Sequence, residues 1–195
     1  MPKRIHAPKQ KITKVRPERV FIDKDVRRQQ VASLAYQPGD FILTHRSDWL
    51  ARLIYWGQSF RFRGDDARYA RYGHVALIAS DSGDIIEALG NGIVSSHISK
   101  YDTKEFVLVN IEASDEDRSQ AVAFAHSCIG DKYGFLTFFS IGISLITGLS
   151  LSFGFEGQHV CSGLVARALE RTQAIFDRNA EHIAPGDLAK WYEVT

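Results

Sequence analysis

The chain has 195 residues, 45% hydrophobic and 24% charged, with two cysteines and a net charge of +1. These values exclude a collagen-like, mucin-like or wholly disordered chain, and Cys128 and Cys161, which lack CxxC spacing, exclude a cysteine-rich zinc module or a stapled secreted scaffold. The charge is uneven: residues 1–30 hold ten Lys or Arg against Glu18, Asp23 and Asp25, a balance of +7, and the remainder carries −6.

Residues 1–30 therefore read as a basic, flexible extension able to touch an anionic membrane surface, and residues 31–195 as one domain large enough to bury its own core. The body has no basic clusters interleaved with aromatics, so nucleic acid is not an expected partner. No apolar segment follows the charged start, so no signal peptide is visible and synthesis in the cytoplasm is expected.

Along the chain, Pro38-Gly39-Asp40 reads as a turn feeding a strand at Phe41-Ile42-Leu43. Trp49, Leu50, Leu53 and Ile54, at spacings of three and four, predict a short amphipathic helix capped by Ser47. Residues 60–73 are charged and aromatic and read as an exposed loop beside a cleft. Two buried strands, 74–80 and 85–89, form a hairpin across the Asp81–Asp84 turn, and another strand is expected over 106–111. After Ser114 an acidic first turn opens a helix that ends at Gly130, the acidic start suiting the positive end of the helix dipole.

Residues 135–155 carry no charge and would span a bilayer in length, yet Gly142, Gly148, Gly154 and several Ser and Thr lower their hydropathy. A buried helix and loop, or a surface meeting acyl chains, explains them equally well. A further helix starts at Cys161, with Leu164, Val165, Ala168 and Leu169 on one face, and a short one closes the chain from Pro185. This order of elements predicts an α+β fold, an antiparallel sheet packed against helices.

Cys161, at the start of a helix, feels the partial positive charge of that terminus, which favours a nucleophilic thiolate, and the neighbouring backbone N–H groups suit an oxyanion. The competing reading is a small core residue sharing the face of Leu164 and Val165. A thiolate needs a base, and His74, opening a buried strand after Gly73, is the best placed of seven histidines; the alternative is a packed histidine at a strand end. Glu87, inside the apolar string Ile85-Ile86-Glu87-Ala88-Leu89, is costly to bury without a partner and is the first choice to orient that base. A two-residue Ser82-Gly83 turn would put Glu87 opposite Ile78 and Asn91 opposite His74, making Asn91 the reserve; a longer loop would bring Glu87 opposite Ala76, diagonal to His74.

Tyr133 is a candidate hydrogen-bond donor to substrate or a plain core residue, and His159 either lines the cleft or belongs to a loop. Cys128, in a helix without a nearby base, reads as structural, and Asp40 either caps the turn or contacts the site, the cap being the favoured reading. No HExxH, GxGxxG or P-loop pattern occurs, so neither a metal nor a cofactor is expected.

The stretches PGDFIL (38–43), YGHVALIASDSGDIIEA (72–88), AVAFAHSCIGDKYG (121–134), HVCSGLVARAL (159–169) and APGDLAK (184–190) resemble the permuted papain-like cysteine amidases. These form the circularly permuted branch of the NlpC-type hydrolases, related to lecithin retinol acyltransferase-like proteins. The resemblance covers about residues 36–192 and implies that His74 is the base, Glu87 the third polar residue and Cys161 the nucleophile of a cysteine hydrolase. It further implies an amide substrate, with bacterial cell-wall peptides leading and delivery to the periplasm or a target cell as the route. An acyl ester or acyl amide in lipid is the alternative, and a non-catalytic binding module on the same fold the other. Two positions depart from the pattern: Val160 stands where non-permuted relatives usually have an acidic residue, and Gly134 where permuted members tend to have Asp.

Overall fold

Short runs of β-branched and aromatic residues bounded by Gly, Pro and Asp set the strands of this protein. The structure, a computed structural model, describes residues 34–45, 49–90, 92–131, 161–174, 176–177 and 179–194. Five strands, β1 (Phe41–Thr44), β2 (His74–Ile78), β3 (Asp84–Leu89), β4 (Gly92–His97) and β5 (Phe106–Val109), form one antiparallel sheet in the order β4-β3-β2-β1-β5. The described helices are α1 (Trp49–Arg61), α2 (Asp115–Ser127), α3 (Cys161–Leu169) and α4 (Pro185–Trp191). The fold is therefore α+β, as the order of elements predicts.

Every residue of β1 and β2 is buried, which is why these strands read as continuous apolar runs rather than as alternating ones. One set of side chains, including Phe41, Leu43, Val75, Leu77 and Ile86, shares a core with Ala121 and Ala125 of α2 and Leu164, Val165 and Ala168 of α3. The alternate set, Ile42, Ala76, Ile78 and Ile85, packs with Ile98, Tyr101 and Phe106. Leu164 and Val165 are fully buried, and burial of each stabilises the fold by about 1.5–3 kcal/mol.

The β2–β3 connection is longer than the two-residue turn. Leu77 lies opposite Ile86 and Ile78 opposite Ile85, a register that continues to Ala76 opposite Glu87. The Ala79 N–H donates to the Asp84 carbonyl at 2.7 Å, leaving residues 80–83 as the loop. Ser80 and Ser82 donate to the Asp84 carboxylate at 2.7 and 3.0 Å, and Gly83 adopts φ of 93°, a left-handed conformation that favours glycine. The tight-turn register, and with it the placement of Asn91 opposite His74, is thereby corrected.

Two other expectations change. Residues 60–73 are not an exposed loop: α1 runs to Arg61, a 3-10 segment covers Gly64–Arg71, and Tyr69, Ala70 and Tyr72 are buried. Their anchor is Gln58, fully buried on α1, whose side-chain amide donates to the carbonyls of Ala70 (3.1 Å) and Tyr72 (2.8 Å) and accepts from the Gly186 N–H (2.7 Å). A Cβ at Gly186 would lie 2.7 Å from both Gln58 Oε1 and the Phe62 ring, so only glycine lets α4 approach so closely. The second change is β4, which the sequence reading does not contain.

The remaining elements follow expectation closely. Ser114 caps α2 by accepting from the Asp117 N–H at 3.2 Å, and Asp115, Glu116 and Asp117 fill its first turn. The strand expected over 106–111 stops at Val109, because the Ile111 N–H turns to Asp40 Oδ1 at 3.0 Å. The basic extension, the Ser47 cap and the uncharged stretch 135–155 lie outside the described residues. Among the described residues, no helix is long and apolar enough to cross a membrane.

Candidate active site

His74 is the first residue of β2, and the backbone around it is fixed from both sides. The Gly73 N–H donates to the Thr44 carbonyl at 3.0 Å, Thr44 pairs directly with His74 across β1, and Gln58 holds the Tyr72 carbonyl. The His74 side chain is 11% exposed, so its direction is set by packing and hydrogen bonds rather than by water.

The observed register places Glu87 one step diagonal from His74 on the same face of the sheet, within reach across antiparallel strands. The His74 Nε2 meets Glu87 Oε2 at 2.9 Å. Glu87 has no exposed surface and is fully partnered: Tyr101 donates its hydroxyl to Oε2 at 2.5 Å, and the Lys100 ammonium pairs with Oε1. A buried carboxylate needs such donors, since an isolated one would lose its hydration without replacement.

The third member arrives from the helical layer. Cys161 is the first residue of α3, 4% exposed, and lies near enough to His74 for its sulfur to act on the charge of the ring. Because Nε2 is engaged by Glu87, Nδ1 is the ring nitrogen left for sulfur. Sulfur, imidazole and carboxylate therefore form one chain, with the thiol at the positive end of a helix.

Charge follows geometry. Burial disfavours a charged ring at His74, but the negative charge and hydrogen bond of Cys161, then the hydrogen bond and charge of Glu87, outweigh it and raise the His74 pKa to about 9. Burial likewise pushes the Glu87 carboxyl up, and the hydrogen bond and charge of His74, with the bonds from Lys100 and Tyr101, bring it down to about 2. The site favours an imidazolium beside an ionised carboxylate over a wide pH range.

Of the residues singled out from the sequence, Cys161, His74 and Glu87 come together. Asn91, Tyr133 and His159 lie outside the described residues. Asp40 is not at this site: it accepts from the Gln37 N–H at 2.9 Å, as a turn cap does, and pairs with Arg118 at 2.8 Å. Cys128 is the buried C-terminal cap of α2, and burial is the main cause that pushes its thiol pKa up.

Sequence reasoning missed Lys100 and Tyr101. They end the Ile98–Lys100 3-10 turn that follows β4, Lys100 as its last residue and Tyr101 as its cap, so they belong to no motif. The one available signal was that Glu87, in an apolar string, requires donors from a neighbouring strand or its end. Among the described residues, no group of three or more His, Cys, Asp or Glu side chains converges to hold a metal ion. In sequence comparisons, no protein-family model and no curated protein matches the chain.

Proposed function

We propose that this protein is a cysteine hydrolase on a circularly permuted papain-like (NlpC-type) fold, cleaving an amide bond through a thioester acyl-enzyme. The observation that carries the reading is the His74 ring, bonded through Nε2 to Glu87 at 2.9 Å and lying beside the Cys161 thiol at the start of α3.

In this reading His74 holds the proton of Cys161, and the sulfur attacks the substrate carbonyl to form a tetrahedral oxyanion facing the first N–H groups of α3. Collapse breaks the carbon–nitrogen bond, and His74 passes its proton to the departing amine, leaving a thioester on Cys161. Water then attacks the thioester with His74 as base, and the thiol and a carboxylic acid are released. Glu87 keeps the ring in the tautomer that presents Nδ1 to sulfur and stabilises the imidazolium. The family resemblance makes peptides of the bacterial cell wall the leading substrate, with the protein acting as a delivered effector.

A second reading, an acyl hydrolase or acyltransferase at a membrane surface, is favoured by Trp56 and Phe60. These aromatics on α1 are 53% and 40% exposed and stack edge-to-face at 4.9 Å. Exposed aromatic side chains of this kind suit a membrane interface.

The deciding experiment is alkylation of the full-length protein by iodoacetamide across pH, read by mass spectrometry at Cys161 and at Cys128 as internal control. The hydrolase reading expects Cys161 to react well below pH 8 while Cys128 stays silent, and His74→Ala to remove that advantage. Equal, slow reaction at Cys161 with and without His74 refutes it and leaves a binding module. Cys161→Ala is expected to lower turnover of peptidoglycan fragments or of acyl lipids by about a thousandfold or more, and the substrate that responds separates the two readings.

A further inference from the structure

A lone carboxylate beside an imidazole raises the ring's proton affinity, and too strong a partner makes a poor acid–base catalyst, because both protonation states must be reached near the working pH. Glu87 is not alone. Its Oε2 takes the His74 ring and the Tyr101 hydroxyl, while its Oε1 takes the Lys100 ammonium. We propose that Lys100 and Tyr101 are positioning residues: Lys100 offsets the charge that Glu87 presents to His74, Tyr101 fixes the carboxylate against rotation, and together they set the pH window in which His74 exchanges a proton with Cys161. This inference rests on the hydrolase reading of His74 and Cys161.

The geometry suits that task. The turn carrying both residues is built into the sheet: Ile98 is fully buried, its N–H donates to the Gly83 carbonyl at 2.8 Å, and the Tyr101 N–H donates back to the Ile98 carbonyl at 3.0 Å. Lys100 is further held by Ser96 Oγ at 3.3 Å, with its ammonium 5.1 Å from the centre of the Tyr101 ring. Its side chain remains 31% exposed, so the cation reaches Glu87 while keeping part of its hydration.

Among the described residues, the groups facing His74 are Glu87 from β3, Cys161 from α3 and Tyr101 from the turn after β4, its ring centre 6.4 Å away; β1 contributes the uncharged Thr44. Glu87 in turn faces His74, Lys100 and Tyr101. Lys100 is thus the one cation in this set besides the ring itself. With it, Glu87 and Lys100 form a neutral pair and His74 feels a dipole; without it, His74 faces a full negative charge in a buried site.

The test titrates His74 by NMR on histidine-labelled full-length protein in a Cys161→Ala background, with Lys100, Lys100→Met, Lys100→Arg or Tyr101→Phe. Lys100→Met is expected to raise the His74 midpoint by about one pH unit, and Tyr101→Phe to raise it by about half a unit. Lys100→Arg is expected to restore the original midpoint, which a purely steric role would not require. With Cys161 restored, the alkaline limb of iodoacetamide labelling should move in the same order. Coincident midpoints for Lys100 and Lys100→Met, or equal displacement by Met and Arg, overturn the proposal. Loss of the Cys161 labelling advantage in the unsubstituted protein instead overturns the hydrolase reading, and the NMR midpoints still decide the role of Lys100.

Discussion

Asp40 and Glu87 are both carboxylates taken out of water, at 1% and 0% exposure, yet they are held by different kinds of donor. Asp40, at the entry to β1, accepts from the Arg118 guanidinium at 2.8 Å, the Asn110 amide at 2.7 Å and the backbone N–H groups of Gln37 and Ile111. Arg118 also donates to the carbonyls of Pro38 and Ile111, so the cluster ties β1 to the end of β5 and to α2. None of those donors loses its proton in the physiological range. Glu87 instead meets an imidazole, a phenol and an ammonium, and the imidazole in turn lies beside a thiol. The same desolvation cost is met with fixed donors where the chain must be held, and with a titratable one where a proton can move.

The largest test of that difference removes a fixed donor. Arg118→Met leaves Asp40 buried beside an apolar chain, and urea unfolding should show a loss of about 3–5 kcal/mol. The pH profile of Cys161 labelling should stay where it is; a displaced profile would mean the two carboxylates are not separate systems.

The next largest effect is on stability against pH. His74, raised from an ordinary 6.5 to about 9, contributes stability that is complete below pH 6.5 and lost as pH climbs through 9. Glu87, lowered from 4.5 to about 2, contributes stability that is complete above pH 4.5 and lost as pH falls through 2. Unfolding free energy should therefore be flat between about pH 4.5 and 6.5 in respect of this pair, then decline by ~3 kcal/mol toward pH 9. His74→Ala should remove the alkaline decline, and a slope unchanged in that variant would contradict the assignment.

A smaller effect is expected from Glu87→Gln, which keeps the shape and removes the charge. The His74 midpoint should drop by about 1–2 pH units, and labelling of Cys161 near neutral pH should slow by about tenfold. Its cost in stability should be below that of Arg118→Met, because Lys100 is exposed enough to turn to solvent. A Gln variant that unfolds as readily as the Met variant would erase the contrast between the two carboxylates.

Much of this arrangement is legible in the sequence, and for definite reasons. Strands β1, β2 and β3 are continuous apolar runs between turn residues, and α2 announces itself through Ser114 and three acidic residues in its first turn. Cys161, His74 and Glu87 stand out because a helix-start thiol, a strand-start imidazole and a carboxylate among aliphatics are each unusual positions. By contrast, β4 (Gly92–His97) hides behind an opening glycine and two serines, its partnership resting on β3 rather than on its own pattern. Burial of Tyr69 and Tyr72 depends on Gln58 and Gly186, which are 128 positions apart, and no local pattern carries a contact of that span. The β2–β3 register turned on Ser80 and Ser82 bonding to Asp84, a side-chain effect that lengthens the loop. Lys100 and Tyr101 were invisible for a related reason: their role exists only once Glu87 is buried beneath them.

The order of elements has a consequence in time. The five described strands lie between Phe41 and Val109, and the hairpin bearing His74 and Glu87 closes over short sequence distances. Cys161 follows Glu87 by 74 positions, so a ribosome adding roughly 5–20 residues per second makes the imidazole–carboxylate pair several seconds before the thiol. A nascent chain thus acquires the imidazole and its carboxylate partner first, and the sulfur last. Chains released before α3 is made would carry the five described strands but not Cys161, and so would hold the imidazole–carboxylate pair without the sulfur beside it.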